Sequence, residues 1–320
     1  MKIVAYVLGF AFLVVVAALG YSVYCYTAPY AAQEKTIVIE RGMGGREILA
    51  TLHEQGVVPK PWKIIVPAIM SGGMQSLKAG EYELAADMSP KQVIAQIATG
   101  RVVVHSVTIP EGWSVSQLRA LLQAEPLLTG ELPETIPEGS VMPDTIHFSR
   151  GDSRADVVAR LQEEMRSFMA DYWGERSGGL PFSSVEEAII LASIVEAETG
   201  VKDERAKVAG VYLNRLRLGM PLQADPTVAY GITQGAQKHV LSIADLKRSG
   251  PYNTYINPGL PPGPICNPGR DSILAVLHPE ATDALYFVAT GTGGHWFSST
   301  VKEHNSNVAK YRAIMRTKKD

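Results

Sequence analysis

Two cysteines in 320 residues leave little scope for cross-linking. Cys25 closes an apolar run and Cys266 lies far along the chain. Neither belongs to a CxxC pair, so two separate thiols are a plainer reading than a disulfide. No small-residue lipidation box surrounds Cys25. An excess of positive charge is also missing. The formal net charge is −2, and phosphate binding usually needs a basic face, so no nucleic-acid partner is expected. HExxH is absent, and His53, His105, His147, His239, His278, His295 and His304 are dispersed, so no metal centre is expected. The glycine-rich GMGGRE, residues 42–47, lacks the GxxxxGK[ST] phosphate loop and dinucleotide spacing. It reads as a turn, and no cofactor is expected. There is no GxSxG elbow, and the cysteines have no evident histidine partner, which disfavours a covalent acyl enzyme. Chemistry in this chain falls to carboxylates.

What is present begins with a hydrophobic run. From Ile3 to Tyr26 no Lys, Arg, Asp or Glu interrupts the sequence. As a helix this run spans about 36 Å at ~1.5 Å per residue, enough for a hydrocarbon core of roughly 30 Å. It is longer than a signal-peptide core and shows no convincing small-x-small cleavage site, so a retained single span is expected. Lys2 alone precedes it, whereas Lys35, Arg41 and Arg46 follow, so local charge does not favour an inside N-terminus.

Charged residues make up 19% and hydrophobic ones 46%, which predicts packed domains rather than disorder. Residues 27–35 read as a tether. A weak repeat follows at an offset of 70 residues, pairing Ile39 with Ile109, Gly42 with Gly112, Ile48 with Leu118 and Leu52 with Leu122. Each copy predicts strand, glycine turn, helix. In residues 80–100, Ser89 caps a predicted helix, Pro90 fits its first position and Gly100 its end. These small units suit binding or spacing. The proline-rich, acidic residues 126–160 read as a long connection or insertion, with a helix from about 154 to 172. Ser184 and Glu187 form a capping box for a helix that runs to Glu196 and Glu198. A second helix is predicted over 203–218, a strand over 285–290 and a closing helix over 301–316.

Glu196 and Glu198 lie about 200° apart around a regular helix, so they do not form a paired-carboxylate site. The apolar spacing puts Glu196 at the edge of the packed face. A carboxyl group beside apolar neighbours holds its proton to higher pH, and a protonated carboxyl can donate to a glycosidic oxygen. The same spacing equally fits a helix-end glutamate satisfied by Arg205 or Arg215. Whether Glu198 contributes stays open. LQADPTVAYG, 222–231, and PYNTYINPGLPPGPICNPG, 251–269, add amides, hydroxyls and tyrosines on stiff, turn-rich backbone, suited to a neutral polar polymer such as a glycan. They also fit loops whose polar groups cap their own backbone. GTGGHWFSS, 291–299, reads as a lid, a rim or a hairpin turn.

ASIVEAET, LQADPTVAYG, YNTYINPGLPPGPICNPG and LYFVATGTGGHWFSSTVKEHN, in that order, resemble the endolytic murein transglycosylases of bacteria, the MltG or YceG-like family. The resemblance covers nearly the whole chain. It implies an α+β protein with an anchor at 1–26, a tether at 27–35, a LysM-like membrane-proximal domain at 36–105 and a catalytic domain at 106–320. It implies a single-pass protein of the bacterial cytoplasmic membrane with its large domain outside the cytoplasm. The first glutamate of the motif, Glu196, is the implied catalytic residue. Gln223, Asp225, Thr227, Tyr252, Asn253, Tyr255, Asn267 and His295 are the implied groove or support residues. Two positions depart from the family pattern: Ile146 where a tyrosine is usual, and Ala197 where a relative can have lysine. The implied reaction cleaves the β-1,4 bond between N-acetylmuramic acid and N-acetylglucosamine within nascent strands. One carboxyl group acts first as acid and then as base, the muramyl C6 hydroxyl attacks, and a 1,6-anhydro end terminates the strand. Glycan strands are the implied partner, with peptidoglycan synthases as a candidate second. A water-using muramidase and a non-enzymatic wall-binding scaffold are the competing expectations.

Overall fold

A computed structural model describes residues 2–318. It is a mixed α/β protein whose chain divides into two compact units, residues up to 105 with 147–152, and residues 106–146 with 153 onward.

The first unit begins with α1 (Lys2–Thr27). This is the one described helix long and apolar enough to cross a membrane. From Ile3 to Leu19 its large apolar side chains are exposed. One face of its C-terminal end is held: Ser22 Oγ donates to the Lys63 carbonyl at 2.6 Å, and Tyr26 is buried with its hydroxyl 2.9 Å from Ser71 Oγ. The segment after it is also held, because the amides of Tyr30 and Ala31 reach the Met88 carbonyl. β1 (Lys35–Ile39) pairs antiparallel with β2 (Gly80–Leu84), with Ile37 opposite Tyr82. Between them come α2 (Gly45–Glu54) and α3 (Ile65–Met70), and after them α4 (Pro90–Thr99). Ile48, Leu49, Leu52, Val93, Ile94 and Ile97 meet Ile37, Tyr82 and Leu84 in one core. Ser89 accepts from the Gln92 amide, and Gly100 turns left-handed at the helix end, as the sequence predicts.

The repeat is real in three dimensions. β3 (His105–Thr108) leads through Gly112 into α5 (Val115–Ala124), as β1 leads through Gly42 into α2. Both glycines adopt positive φ, 91° and 75°, a region that L-residues with side chains rarely enter. β3 pairs with β4 (Thr145–Phe148).

Within the second unit, residues 126–146 are not a loose connection. Leu128, Ile136, Val141 and Met142 are buried, and the Met142 amide donates to the Leu161 carbonyl. Apolar residues spaced among the prolines, rather than a helical period, anchor this segment. α6 (Arg154–Trp173) follows, then α7 (Val185–Glu198), capped by Ser184 with Glu187. α7 is the spine: Ala188 and every residue from Ile190 to Val195 are buried. A helix buried nearly all round has no free rotation left. Burying Leu191, Ile194 and Val195 stabilises the unit by roughly 1.5–3 kcal/mol each, so the directions of the side chains that follow are fixed. α8 (Arg205–Arg217) and α11 (Arg270–Leu277) pack against it. α9 (Asp225–Thr233) starts inside the 222–231 stretch that reads as turn-rich backbone, because proline also fits the first turn of a helix. The short α10 (Ile243–Leu246), the antiparallel hairpin of β5 (Tyr286–Ala289) and β6 (His295–Ser298), and α12 (Val301–Thr317) complete the unit.

Candidate active site

The two glutamates at the end of α7 face different surroundings. Both carboxyl oxygens of Glu196 are committed. Oε1 accepts from Arg205 Nη2 at 3.1 Å, and Oε2 accepts from the Gly269 amide at 2.9 Å. Arg205 is itself buried and reaches Asp271 at 3.3 Å and Glu111 at 3.6 Å. Burial, then the charge of Glu196, raises the pKa of Glu111. The side chain of Glu196 is only 6% exposed. This ties the ends of α7, α8 and α11 together. It is the arginine-satisfied helix end that the sequence left open.

Glu198, on the opposite side of the helix, lines a polar cleft of about 280 Å³ with Tyr212 and Arg215 of α8, Gln223, Asp225, Tyr255, Phe287 and His295. That volume is at the small end for ligand clefts. The Tyr212 hydroxyl donates to Glu198 Oε1 at 2.8 Å. Burial pushes the Glu198 carboxyl up to about 7, and the charge of Asp225 adds to the rise, while the Tyr212 hydrogen bond and Arg215 oppose it. Near neutral pH this carboxyl is divided between acid and base forms, the condition a proton donor needs. Burial, and then the Glu198 charge, raise the Tyr212 phenol in turn.

The cleft wall is built by interlocking bonds. Arg215 Nε donates to the Leu285 carbonyl and Nη1 to the Leu222 carbonyl, both at 2.7 Å. Gln223 has φ of 51°, a strained value for a residue with a side chain, and its amide is held by the Thr254 carbonyl at 3.0 Å. Asp225 Oδ1 accepts from the Tyr255 hydroxyl at 2.6 Å. His295 is held through Nδ1, 2.7 Å from Glu204 Oε2.

Of the residues singled out by sequence, Gln223, Asp225, Tyr255 and His295 therefore gather around Glu198, not Glu196. The others serve as scaffold. Thr227, fully buried, bonds the Ala224 carbonyl and Thr254. Asn253 ties down the 251–269 loop by donating to the carbonyls of Leu246 and Arg248 and accepting from the Tyr255 amide. Asn267, fully buried, accepts from the Val141 amide and donates to the Trp113 carbonyl. Tyr252 packs on Tyr230, with ring centroids 5.0 Å apart. Tyr212 and Phe287 were not foreseen as cleft residues, because α8 reads only as an apolar periodicity and β5 only as a strand, and Arg215 was named only as a partner for the helix-end glutamate.

A second carboxyl, Glu138, is also pushed to about 7 by burial. Its oxygens accept from the Val115 amide, Tyr230 and Asn267, so it is enclosed as a structural acceptor. The larger cavity beside it, about 760 Å³, is walled by Met165, Met169, Trp173, Ile189 and Pro264. Such a lining does not match a hydroxyl-rich polymer.

The model of the YceG-like family matches residues 37–310. An endolytic murein transglycosylase of Bacillus subtilis is 32% identical over 295 residues, covering 82% of this chain and 81% of its own length. One from Streptococcus pneumoniae is 29% identical, covering 96% of this chain and 65% of its own length. The crystal structure of a YceG-like protein from Listeria monocytogenes superposes with a TM-score of 0.55 at 30% identity, covering 86% of this chain and 98% of that one.

Proposed function

Since the chain belongs to the YceG-like family, we propose that it is an endolytic lytic transglycosylase with Glu198 as its proton donor. It cleaves the β-1,4 bond between N-acetylmuramic acid and N-acetylglucosamine and leaves a 1,6-anhydro end. The observation that supports this reading is the placement of Glu198 at the wall of a polar cleft, bonded by Tyr212, where burial pushes its carboxyl up to about 7. Glu196 was the expected donor, but its oxygens are taken by Arg205 and Gly269, and the cleft residues surround its neighbour.

Protonated Glu198 donates to the glycosidic oxygen as the bond to the anomeric carbon breaks. The hydrogen bond from Tyr212 stabilises the carboxylate left behind. Asp225, in the same cleft, carries negative charge toward the oxocarbenium-like centre. The muramyl C6 hydroxyl then attacks the anomeric carbon and loses its proton. Because the nucleophile belongs to the same sugar, little entropy is lost in bringing it into place.

The first unit acts as a LysM-like, membrane-proximal module. α1 anchors the protein in the cytoplasmic membrane with the second unit outside the cytoplasm, beside nascent strands and their synthases. A second reading has one specific support. Asp225 gives the cleft a second carboxylate, which a water-using muramidase needs. Mass analysis of peptidoglycan digested by the purified full chain decides between them. Anhydro ends carry the transglycosylase reading, and reducing ends carry the muramidase.

A further inference from the structure

His295 is placed as more than a wall of the cleft. Its backbone amide donates to Glu204 Oε1 at 2.9 Å, and its ring Nδ1 lies 2.7 Å from Glu204 Oε2. One carboxylate thus holds both the main chain and the ring of the same residue. A Cβ on Gly294, at φ of 79°, would sit 2.6 Å from Glu204 Oε1 and push that carboxylate out of place. Phe287 meets the ring edge-on, with centroids 5.4 Å apart at 90°. The imidazole is therefore fixed in place and in rotation.

Fixing also selects a tautomer. A carboxylate beside Nδ1 keeps the hydrogen there, which leaves the lone pair on Nε2. Nε2 has no hydrogen-bond partner among the described residues, and it is not one of the enclosed unpartnered atoms. His295 lines the same cleft as Glu198. The ring faces Glu204 from the turn before α8, and around the cleft stand Glu198, Tyr212, Arg215, Asp225 and Tyr255. Of these, Asp225 is already engaged by Tyr255, and Tyr212 donates to Glu198.

We propose that His295, oriented by Glu204, is the base that takes the proton from the muramyl C6 hydroxyl. The proposal rests on the transglycosylase reading and divides labour that a single carboxyl would otherwise perform twice. The C6 oxygen forms its bond to the anomeric carbon as its proton passes to His295 Nε2. The bond from the anomeric carbon to the leaving oxygen breaks, and that oxygen takes the proton of Glu198. The imidazolium then loses its proton to solvent and the Glu198 carboxylate gains one, which resets the site. No other reactant is consumed.

The test is the pH dependence of anhydro-end formation by the full chain in detergent, comparing wild type with His295→Gln, Glu204→Gln and Asp225→Asn. A base that must be unprotonated imposes a limb that rises with pH, separate from the limb that falls as Glu198 ionises. His295→Gln removes the rising limb, lowers kcat by about 100-fold or more, and leaves KM within about threefold of wild type. Glu204→Gln keeps the product and displaces the rising limb, and it is decisive should the first variant not fold. Asp225→Asn retains the limb. A His295→Gln enzyme with the rising limb intact, or with only KM raised, overturns the proposal, as does loss of the limb in Asp225→Asn alone. Reducing ends from wild type would overturn the transglycosylase reading itself. Anhydro ends with an unaltered His295→Gln profile would overturn only the role of His295.

Discussion

Replacing Glu198 by glutamine separates the cost of the site from its chemistry. The folded protein favours the protonated carboxyl, raising it from its ordinary 4.5 to about 7. A group raised in this way contributes stability in full below about 4.5. That contribution is lost as pH rises toward 7, because the unfolded chain releases the proton first. The gap corresponds to on the order of 3 kcal/mol, and relaxation around the charge reduces it to roughly 1–3 kcal/mol. Glutamine never ionises and still accepts from the Tyr212 hydroxyl. Glu198→Gln is therefore more stable than wild type at pH 8 and close to it at pH 5. Glu138 follows the same sign, so the variant keeps part of the wild-type decline and the double variant with Glu138→Gln flattens it. Urea unfolding in detergent at both pH values provides the assay. Trp113, Trp173 and Trp296 all lie in the second unit and only Trp62 in the first, so fluorescence reports the unit that carries the site. Equal losses between pH 5 and pH 8 in wild type and Glu198→Gln would refute the claim that Glu198 is held protonated by burial.

Two further substitutions probe the neighbours of that group. Tyr212→Phe removes the 2.8 Å donor that favours ionised Glu198. The alkaline limb of the rate profile moves up by about one pH unit, and a limb that stays in place contradicts the assignment. Asn267→Ala strands the buried Val141 amide and costs about 2–4 kcal/mol of stability. Activity per folded molecule stays near wild type, as measured by melting together with active-site-independent protein quantitation, whereas a large kcat loss in fully folded protein would make Asn267 a substrate contact.

The elements of the fold are largely legible because their signals are local. Ser184 with Glu187, Ser89 with Pro90, and the two glycine turns of the repeat each specify a helix start or a turn within four residues. The residue types of the cleft are legible, but which glutamate faces it is not. Helical spacing does separate Glu196 from Glu198. Which of them faces a cleft depends on where Arg205 and Gly269 arrive, and that is set by the packing of α8 and α11 on α7. Arg205 is only nine positions from Glu196, and the sequence named it as a possible partner. Nothing in the spacing said that it was the actual one. Tyr212 stays hidden for the same reason: in an apolar helix a buried tyrosine looks like core until its hydroxyl finds a carboxyl. The polar loops gave their residue types correctly, yet Thr227, Asn253 and Asn267 turn inward to satisfy backbone groups. In one sequence, a hydroxyl or amide that binds sugar and one that binds a carbonyl look alike.

The most direct measurement compares glycan ends made by wild type, Glu198→Gln and Glu196→Gln, each normalised to folded protein. The expected outcome is that wild type forms 1,6-anhydro ends, that Glu198→Gln loses them by about 1000-fold or more, and that folded Glu196→Gln still forms them. An active Glu198→Gln enzyme beside an inactive, folded Glu196→Gln enzyme would contradict it.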